Sequence, residues 1–497
     1  MMWYSLRVVT PVSQKLAVNR RDPIAILGVP FDNVTTPETL EIIAEMISSG
    51  QPHCAATANV DFIVQALEDV ELRRILFDMH LILADGMPIV WASKFLGNPL
   101  PERVTGSGLI PLLLAAAEAR GWRVFFLGGT NESVAEAAAK TRAKHPNLQL
   151  VGAYSPPFKP LLEMDHEDIL RRIREASPDI LLVAFGCPKQ EKWINMHYRQ
   201  SGVPFSVGVG ATIDFLAGTF KRAPLWMQKT GTEWIFRMLQ EPKRLIKRYG
   251  KDLWVFGRVI WQQWWHLRQR KQSGTPAPRP AVSPDLPGVV VIKLPPSLSA
   301  AEVQAHRAEW LQAVEQHDVI FDLAGTKMTD STGVGLLIRL RKRSRELGRT
   351  MVLVAVGPQL QGALALMKLT DFFALEPDLT SARVRVQKEM GGAQLSVRSL
   401  SDNMIIRWQG EITSETTLEL ARRTDAQIKK LKPEQRVVID LAGVGFVDST
   451  GVGLMVRLRK SSLRSGFKLT FEAPNENVLN VLRLLKIEAF LLQPPSP

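Results

Sequence analysis

Along the first half of the chain, short apolar runs alternate with longer stretches whose apolar residues recur every three or four positions. The runs are "HCAATANVDFI", "LILADG", "WRVFFLGG", "DILLVAFG" and "PFSVGVG", each closing on Gly, Asn or Asp, and segments such as "NESVAEAAAKTRAKHP" between them carry helical spacing. This alternation predicts a parallel α/β sheet covered by helices. Ligands of such sheets bind at the carboxyl ends of the strands. The residues to examine are therefore Thr57, Asn59, Asp61, Asp85, Gly128, Gly129, Thr130, Gly186, Gln190, Gly208 and Gly210.

The second half repeats itself. "MTDSTGVGLLIRLRK" runs from Met328 to Lys342, and "FVDSTGVGLMVRLRK" from Phe446 to Lys460. Each copy reads as a strand ("VIFDL", "VVIDL"), a loop, an Asp-Ser-Thr-Gly turn, a helix bearing "RLRK", a glycine stop at Gly348 or Gly466, then another strand and helix. Between the halves, five prolines in the thirteen residues from Pro276 predict a semi-extended linker. The expected organisation is an α/β core over 1–220, an appendage over 221–271, a linker over 272–287, and repeat units over 288–390 and 393–497. The proline-rich stretch is expected to decouple the two halves mechanically.

A chain of 497 residues has room for several domains with their own cores, and its 45% hydrophobic and 22% charged content is that of a globular protein. With only Cys54 and Cys187, a reducing cytoplasm is the simpler expectation. The N-terminal residues contain no signal-like apolar region, and no run reaches the ~20 apolar residues of a spanning helix. The net charge of +13 is concentrated between Lys221 and Lys271, where thirteen Lys and Arg face three acidic residues among six of the twelve tryptophans. Within that segment Leu253, Phe256, Ile260, Trp264 and Leu267 recur at helical period, beside Trp261 and Trp265. Such a helix is either an interfacial membrane binder or a helix of the core. Cations among aromatics also suit nucleic acid, but no reader motif accompanies them and nucleic acid is not expected as a partner.

Several strand ends carry chemistry. Gly128, Gly129 and Thr130 stand between a strand and a helix, where free amides favour a phosphate or simply make a tight capped turn. The segment has no GxGxxG and no Walker lysine, against dinucleotide enzymes and P-loop ATPases. Asp85, after four apolar residues, is a general base if a substrate hydroxyl comes within reach, or a cap for the next helix. Arg103, Thr105 and Ser107 form a cationic, hydroxylated loop suited to a sugar or phosphate, and Lys189, Gln190 and Glu191 follow the turn at Pro188.

These residues carry a resemblance. Thr57-Ala-Asn59, Ala84-Asp85-Gly86, Arg103 with Thr105-Gly106, Phe126-Leu-Gly-Gly129, Gly186-Cys-Pro-Lys-Gln190-Glu191 and "GVGATIDFLAGTFKRAP" occur in the order of the WecG/TagA/CpsF glycosyltransferases, over roughly Ile24 to Tyr249. The resemblance implies a Rossmann-like parallel α/β fold and inverting, metal-independent transfer of an N-acetylmannosamine-type sugar or its uronic acid. The donor is a UDP-sugar and the acceptor is linked to a lipid diphosphate. By motif, Asp85 resembles the catalytic base, Thr57 and Asn59 the residues that place it and the donor, and Gln190 a substrate-positioning residue. No Asp-x-Asp pair is present to hold a divalent ion on a diphosphate. Without a metal, arginines must neutralise the departing UDP, and Arg237, Arg244 and Arg248 of the appendage resemble those that reach into the family's site.

The repeats resemble STAS domains, the small α/β fold of anti-sigma-factor antagonists. In that family the Ser after the Asp, here Ser331 and Ser449, can be phosphorylated; the bland alternative is a helix cap. The second copy keeps the family-like "WQGEIT" where the first has "KLPPSL". The expectation is a peripheral enzyme on the inner face of the cytoplasmic membrane, in cell-surface polysaccharide synthesis, whose STAS pair docks a protein partner. The alternative is a catalytically idle transferase-like scaffold with a regulatory role.

Overall fold

The computed structural model describes residues 21–219, isolated positions between 223 and 238, and residues 242–267, 281–282, 288–389, 394–399, 403–414, 416–431, 436–465 and 467–492. Most of the predicted linker and the Gly391-Gly392 junction lie outside the described residues.

The core opens with a hairpin, β1 (Ile24–Ile26) and β2 (Val29–Phe31), followed by α1 (Thr36–Ser48), β3 (His53–Ala58), α2 (Val60–Glu68), α3 (Val70–Asp78), β4 (Leu81–Ala84), α4 (Met87–Phe95) and α5 (Gly106–Arg120). It continues through β5 (Arg123–Gly128), α6 (Asn131–Lys144), β6 (Gln149–Tyr154), α7 (His166–Ala176), β7 (Ile180–Ala184), α8 (Lys189–Ser201), β8 (Phe205–Gly208) and α9 (Thr212–Ala217). The five strands read from the apolar runs all form, with β6 added, and they pair in parallel in the order β4-β3-β8-β7-β5-β6. Both faces are covered, which is why the strands are apolar throughout rather than alternating. Phe62 and Ile63 of α2 and Trp193 and Ile194 of α8 lie in the core of one face. Ile213 of α9 and Val134 of α6 lie in the core of the other. Adjacent strands β3 and β8 thus send the chain to opposite faces, which opens a crevice between their carboxyl ends.

Helix α10 (Pro242–Leu267) packs along this core. Phe256 and Ile260 are buried in the core of one face, and Gln263 binds the backbone of the hairpin, accepting from Leu27 N and donating to Ala25 O, both at 2.8 Å. The stripe through Phe256 and Ile260 is therefore a core face. Leu253 of the predicted stripe is exposed, and α10 also shows Trp254, Trp261 and Trp265 to solvent, with the Arg258 guanidinium over Trp254 and the rings of Trp261 and Trp265 stacked at 5.7 Å. The period predicts the helix, but the stripe through Phe256 and Ile260 packs on the core and the exposed indoles lie on the opposite face.

The first repeat contains β9 (Ala281–Val282), β10 (Val289–Lys293), β11 (Ser297–Leu298), α11 (Ala300–Gln316), β12 (Asp318–Asp322), β13 (Met328–Thr329), α12 (Ser331–Glu346), β14 (Met351–Val354), α13 (Pro358–Leu366), β15 (Ala374–Glu376) and α14 (Leu379–Glu389). The second contains β16 (Gln394–Ser399), β17 (Asn403–Ile412), α15 (Thr417–Ile428), β18 (Arg436–Val447), α16 (Ser449–Ser465), β19 (Lys468–Glu472), α17 (Glu476–Leu484) and α18 (Glu488–Leu492). Their sheets run β15-β14-β12-β10-β9 and β16-β17-β18-β19. Where the second copy has the unbroken β17, Pro295 and Pro296 split the first into β10 and β11, since proline supplies no ladder N–H.

The halves are not decoupled. Phe77 of α3 and Ala25 of the hairpin belong to the apolar core of the first repeat, where Phe77 meets Phe372 at 4.6 Å between ring centroids. Arg74 lies between the rings of Phe372 and Phe446 and pairs with Glu411 of the second repeat. Arg345 of the first repeat reaches both Asp78 and Glu411 at 3.1 Å. The linker composition predicts independence, but α3 is buried from both sides by surfaces distant from it in the chain.

Candidate active site

The sequence-predicted residues stand at the carboxyl ends of β3, β4, β5, β7 and β8, on either side of the crevice at β3 and β8. Thr57, buried at the end of β3, directs its hydroxyl to Gly208 O at 3.4 Å. Gly106, first residue of α5, lies against it: a Cβ added there would stand 3.3 Å from both Thr57 Oγ1 and Thr212 Oγ1. The amide of Gly106 donates to Asp85 Oδ2 at 3.4 Å. Asp85, Thr57 and Thr212 thus converge on one helix start, where free amides and the helix dipole favour negative charge. The N-cap of α4 is Gly86, and the carboxylate of Asp85 meets the start of α5. Thr212 escapes a strand-by-strand reading because it follows β8 by four residues, although it lies inside the quoted "GVGATIDFLAG".

Asn59 and Thr105 both cap helices, accepting from Phe62 N at 3.2 Å and Gly108 N at 3.0 Å. Gly128 sits at φ 103°, where a Cβ would lie 2.5 Å from Ala184 O, so only glycine allows β5 and β7 to end this close together. Gly129 follows, and Thr130 closes a capping box with Ser133 at the start of α6. The capped turn is what forms at this strand end.

Gln190 ties two strand ends together. Its Oε1 accepts the amides of Gly186 and Gly210, each at 3.1 Å, and its Nε2 donates to Glu191 Oε1 at 2.7 Å. Glu191 is fully buried. Burial pushes its carboxyl up to about 7 and Asp61 adds to the rise, while hydrogen bonds from Gln190, its own amide and Cys187 pull the other way. Burial also lowers the Lys189 ammonium, whose Nζ donates to Lys159 O at 2.5 Å and lies 4.8 Å from the exposed Phe158 ring.

Arg103 meets the appendage, pairing with Glu233 at 3.3 Å. Arg244 and Arg248 lie in α10; their side chains, like Arg237 altogether, lie outside the described residues. Among the described residues no group of three His, Cys, Asp or Glu is placed to hold a metal ion. Nor is any helix among them long and apolar enough to cross a membrane.

Ser331 and Ser449 are both buried against the core. Ser331 Oγ accepts from Asn98 Nδ2 at 3.0 Å, and the Ser449 amide donates to Glu71 Oε1. Each preceding aspartate caps its helix: Asp330 Oδ1 accepts from Thr332 N and Gly333 N, and Asp448 Oδ1 from Thr450 N and Gly451 N, all at 2.9 Å.

A carboxylate, two hydroxyls and helix starts thus meet at the strand ends of a doubly wound sheet, which is joined to two small α/β domains. The chain belongs to the WecG/TagA/CpsF glycosyl transferase family, whose model matches residues 24–270, and two STAS domains match at 282–382 and 394–495. It is similar to the N-acetylglucosaminyldiphosphoundecaprenol N-acetyl-beta-D-mannosaminyltransferases of Staphylococcus aureus strains MW2 and NCTC 8325 / PS 47. In each case 32% of 224 residues are identical, over 45% of this chain and 86% of the relative.

Proposed function

We propose that the chain moves an N-acetylhexosamine-type sugar, N-acetylmannosamine or its uronic acid, from a UDP donor to a lipid-diphosphate-linked acceptor, with inversion and without a metal ion. The observation that carries this reading is the convergence of Asp85, Thr57 and Thr212 on the Gly106 helix start. In the proposed step Asp85 takes the proton of the acceptor hydroxyl, and that oxygen bonds to the anomeric carbon from the face opposite the leaving group. The bond from that carbon to the UDP oxygen breaks, and UDP departs with the electron pair. Thr57 and Asn59 place the donor, and Gln190 holds the Gly186 and Gly210 loops around it. The amides at Gly128 and Gly129 take diphosphate oxygens, and Arg103, Arg237, Arg244 and Arg248 neutralise the charge that a divalent ion would otherwise carry.

The acceptor's lipid places the enzyme at the inner face of the cytoplasmic membrane, with the Trp254, Trp261 and Trp265 face of α10 as the contact. The STAS pair is a regulatory and docking region, and Ser331 and Ser449 are its proposed modification points, reached by a kinase only when the docked surface opens.

The test is UDP release from UDP-N-acetylmannosamine, and from its uronic acid, with an undecaprenyl-diphosphate-linked N-acetylglucosamine acceptor, with and without EDTA. Acceptor-dependent release unaffected by EDTA is the expected result. No release from either donor would leave the idle scaffold as the reading.

A further inference from the structure

The two STAS domains are joined to the transferase core in different ways. The first shares an apolar core with it through Ala25 and Phe77, the arrangement of a permanent contact. The second meets it with a smaller apolar contact, Val70 and Leu162 packing against its core, and with a cluster of buried polar and charged groups. Glu71, Lys192, Asn195 and Asp448 are all buried where α16 meets α3 and α8. Lys192 Nζ lies 2.8 Å from both Asp69 and Glu71, and Asn195 Nδ2 donates to Asp448 Oδ2 at 3.2 Å. Asp448 Oδ2 also accepts from Ser414 N at 2.8 Å, and the Ser449 amide donates to Glu71. The Ser449 hydroxyl is buried with no hydrogen-bond partner among the described residues. A joint that rests mainly on polar and charged groups, which water can also solvate, opens more readily than one built mainly on a shared apolar core.

The joint and the crevice share one helix. The first turn of α8 carries Gln190 and Glu191, whose side chains fix the Gly186 and Gly210 loops; beside them Lys192 holds Glu71, which accepts from the Ser449 amide, and one turn on Asn195 reaches Asp448 of the STAS domain directly. We propose that the partner of the second Asp-Ser-Thr-Gly surface is this chain's own transferase core, and that its docking on α3 and α8 holds Gln190 in place for transfer. The second STAS domain is then a positioning subunit acting in cis. A ligand or modification that separates the surfaces slows transfer without touching the crevice. The kinetic half of this inference rests on the proposed activity; the docking half does not.

Two variants test it from opposite sides. Ser449→Asp puts a carboxylate at a helix start, which suits the helix itself, but buries it beside Glu71 and Asp448, which disfavours the docked state. Arg74→Ala removes the cation held between Phe372, Phe446 and Glu411 and touches no crevice residue. In the full chain, hydrogen exchange should quicken in peptides covering Val70–Asp78 and 411–416 for both variants, while the β19 peptide stays protected and shows the STAS fold intact. In both, kcat should fall about tenfold with the donor KM changed less than about twofold, as expected when positioning rather than binding is lost. The double variant should be no worse than the worse single, because both act through one contact. Unchanged exchange would overturn the docking. Quickened exchange with unchanged or raised kcat, or additive losses, would overturn the coupling. If the wild type shows no transfer, the proposed function has failed, and the exchange arm still decides the docking.

Discussion

The amide of Gly106 points at the carboxylate of Asp85 from 3.4 Å, so the start of one helix faces the acidic residue that ends the neighbouring strand. An amide at a helix start is a donor suited to a carboxylate, the form a general base needs. Asp85→Asn keeps the shape and an acceptor oxygen for Gly106 but cannot take a proton. Transfer should fall by roughly 100-fold or more, while unfolding free energy changes by less than about 1 kcal/mol. UDP release and a denaturant titration on the same preparation check both halves.

Glu191 yields a pH prediction. Its carboxyl is raised from 4.5 to about 7 in the folded chain, first by burial. The folded state keeps a proton that the unfolded state gives up, so this stabilisation is complete below 4.5 and is lost as pH rises through about 7. Glu191→Gln, neutral at every pH, should melt like the wild type near pH 4.5 and a few degrees above it at pH 8. Melting curves at the two pH values read the difference; an equal shift at both would assign the effect to packing.

Phe77 tests the union of the halves. It is buried between α3 and the first STAS domain, against Phe372. Phe77→Ala should cost about 3–5 kcal/mol by the usual penalty for emptying an aromatic core site. Because the ring belongs to both domains, calorimetry should show the core and the first STAS domain losing stability together. A loss confined to one transition would mean that the shared core does not couple them.

The strands, the tandem repeat and the crevice residues were legible because each is local: an apolar run, a self-similar stretch, a short motif at a strand end. Asp85 and Thr57 are far apart in sequence, yet each belongs to a strand end that the parallel topology must bring to one edge; Gly106 starts a helix, and only the quoted motif pointed to it. The docked surfaces were not legible. Glu71, Arg74 and Asn195 read as ordinary polar residues of amphipathic helices, and nothing in their neighbourhood names Ser449 or Glu411 as partners. The proline-rich linker misled for the same reason, since composition reports the stiffness of a segment and not which faces pack beyond it.

On α10 the period was legible and the orientation was not, and this sets the last prediction. Phe256 and Ile260 are held by the core, so replacing them should destabilise the fold rather than release a membrane. Trp254, Trp261 and Trp265 are exposed and share a face with Arg258. Tryptophan beside a cation suits the headgroup region, where the ring is half desolvated and the charge meets anionic lipid. Replacing all three indoles with Ser should leave the melting temperature nearly unchanged, because none fills a core site. The same variant should lose most of its sedimentation with vesicles containing phosphatidylglycerol, and the remainder should fall further as salt is raised. Undiminished sedimentation would place the membrane contact on another surface.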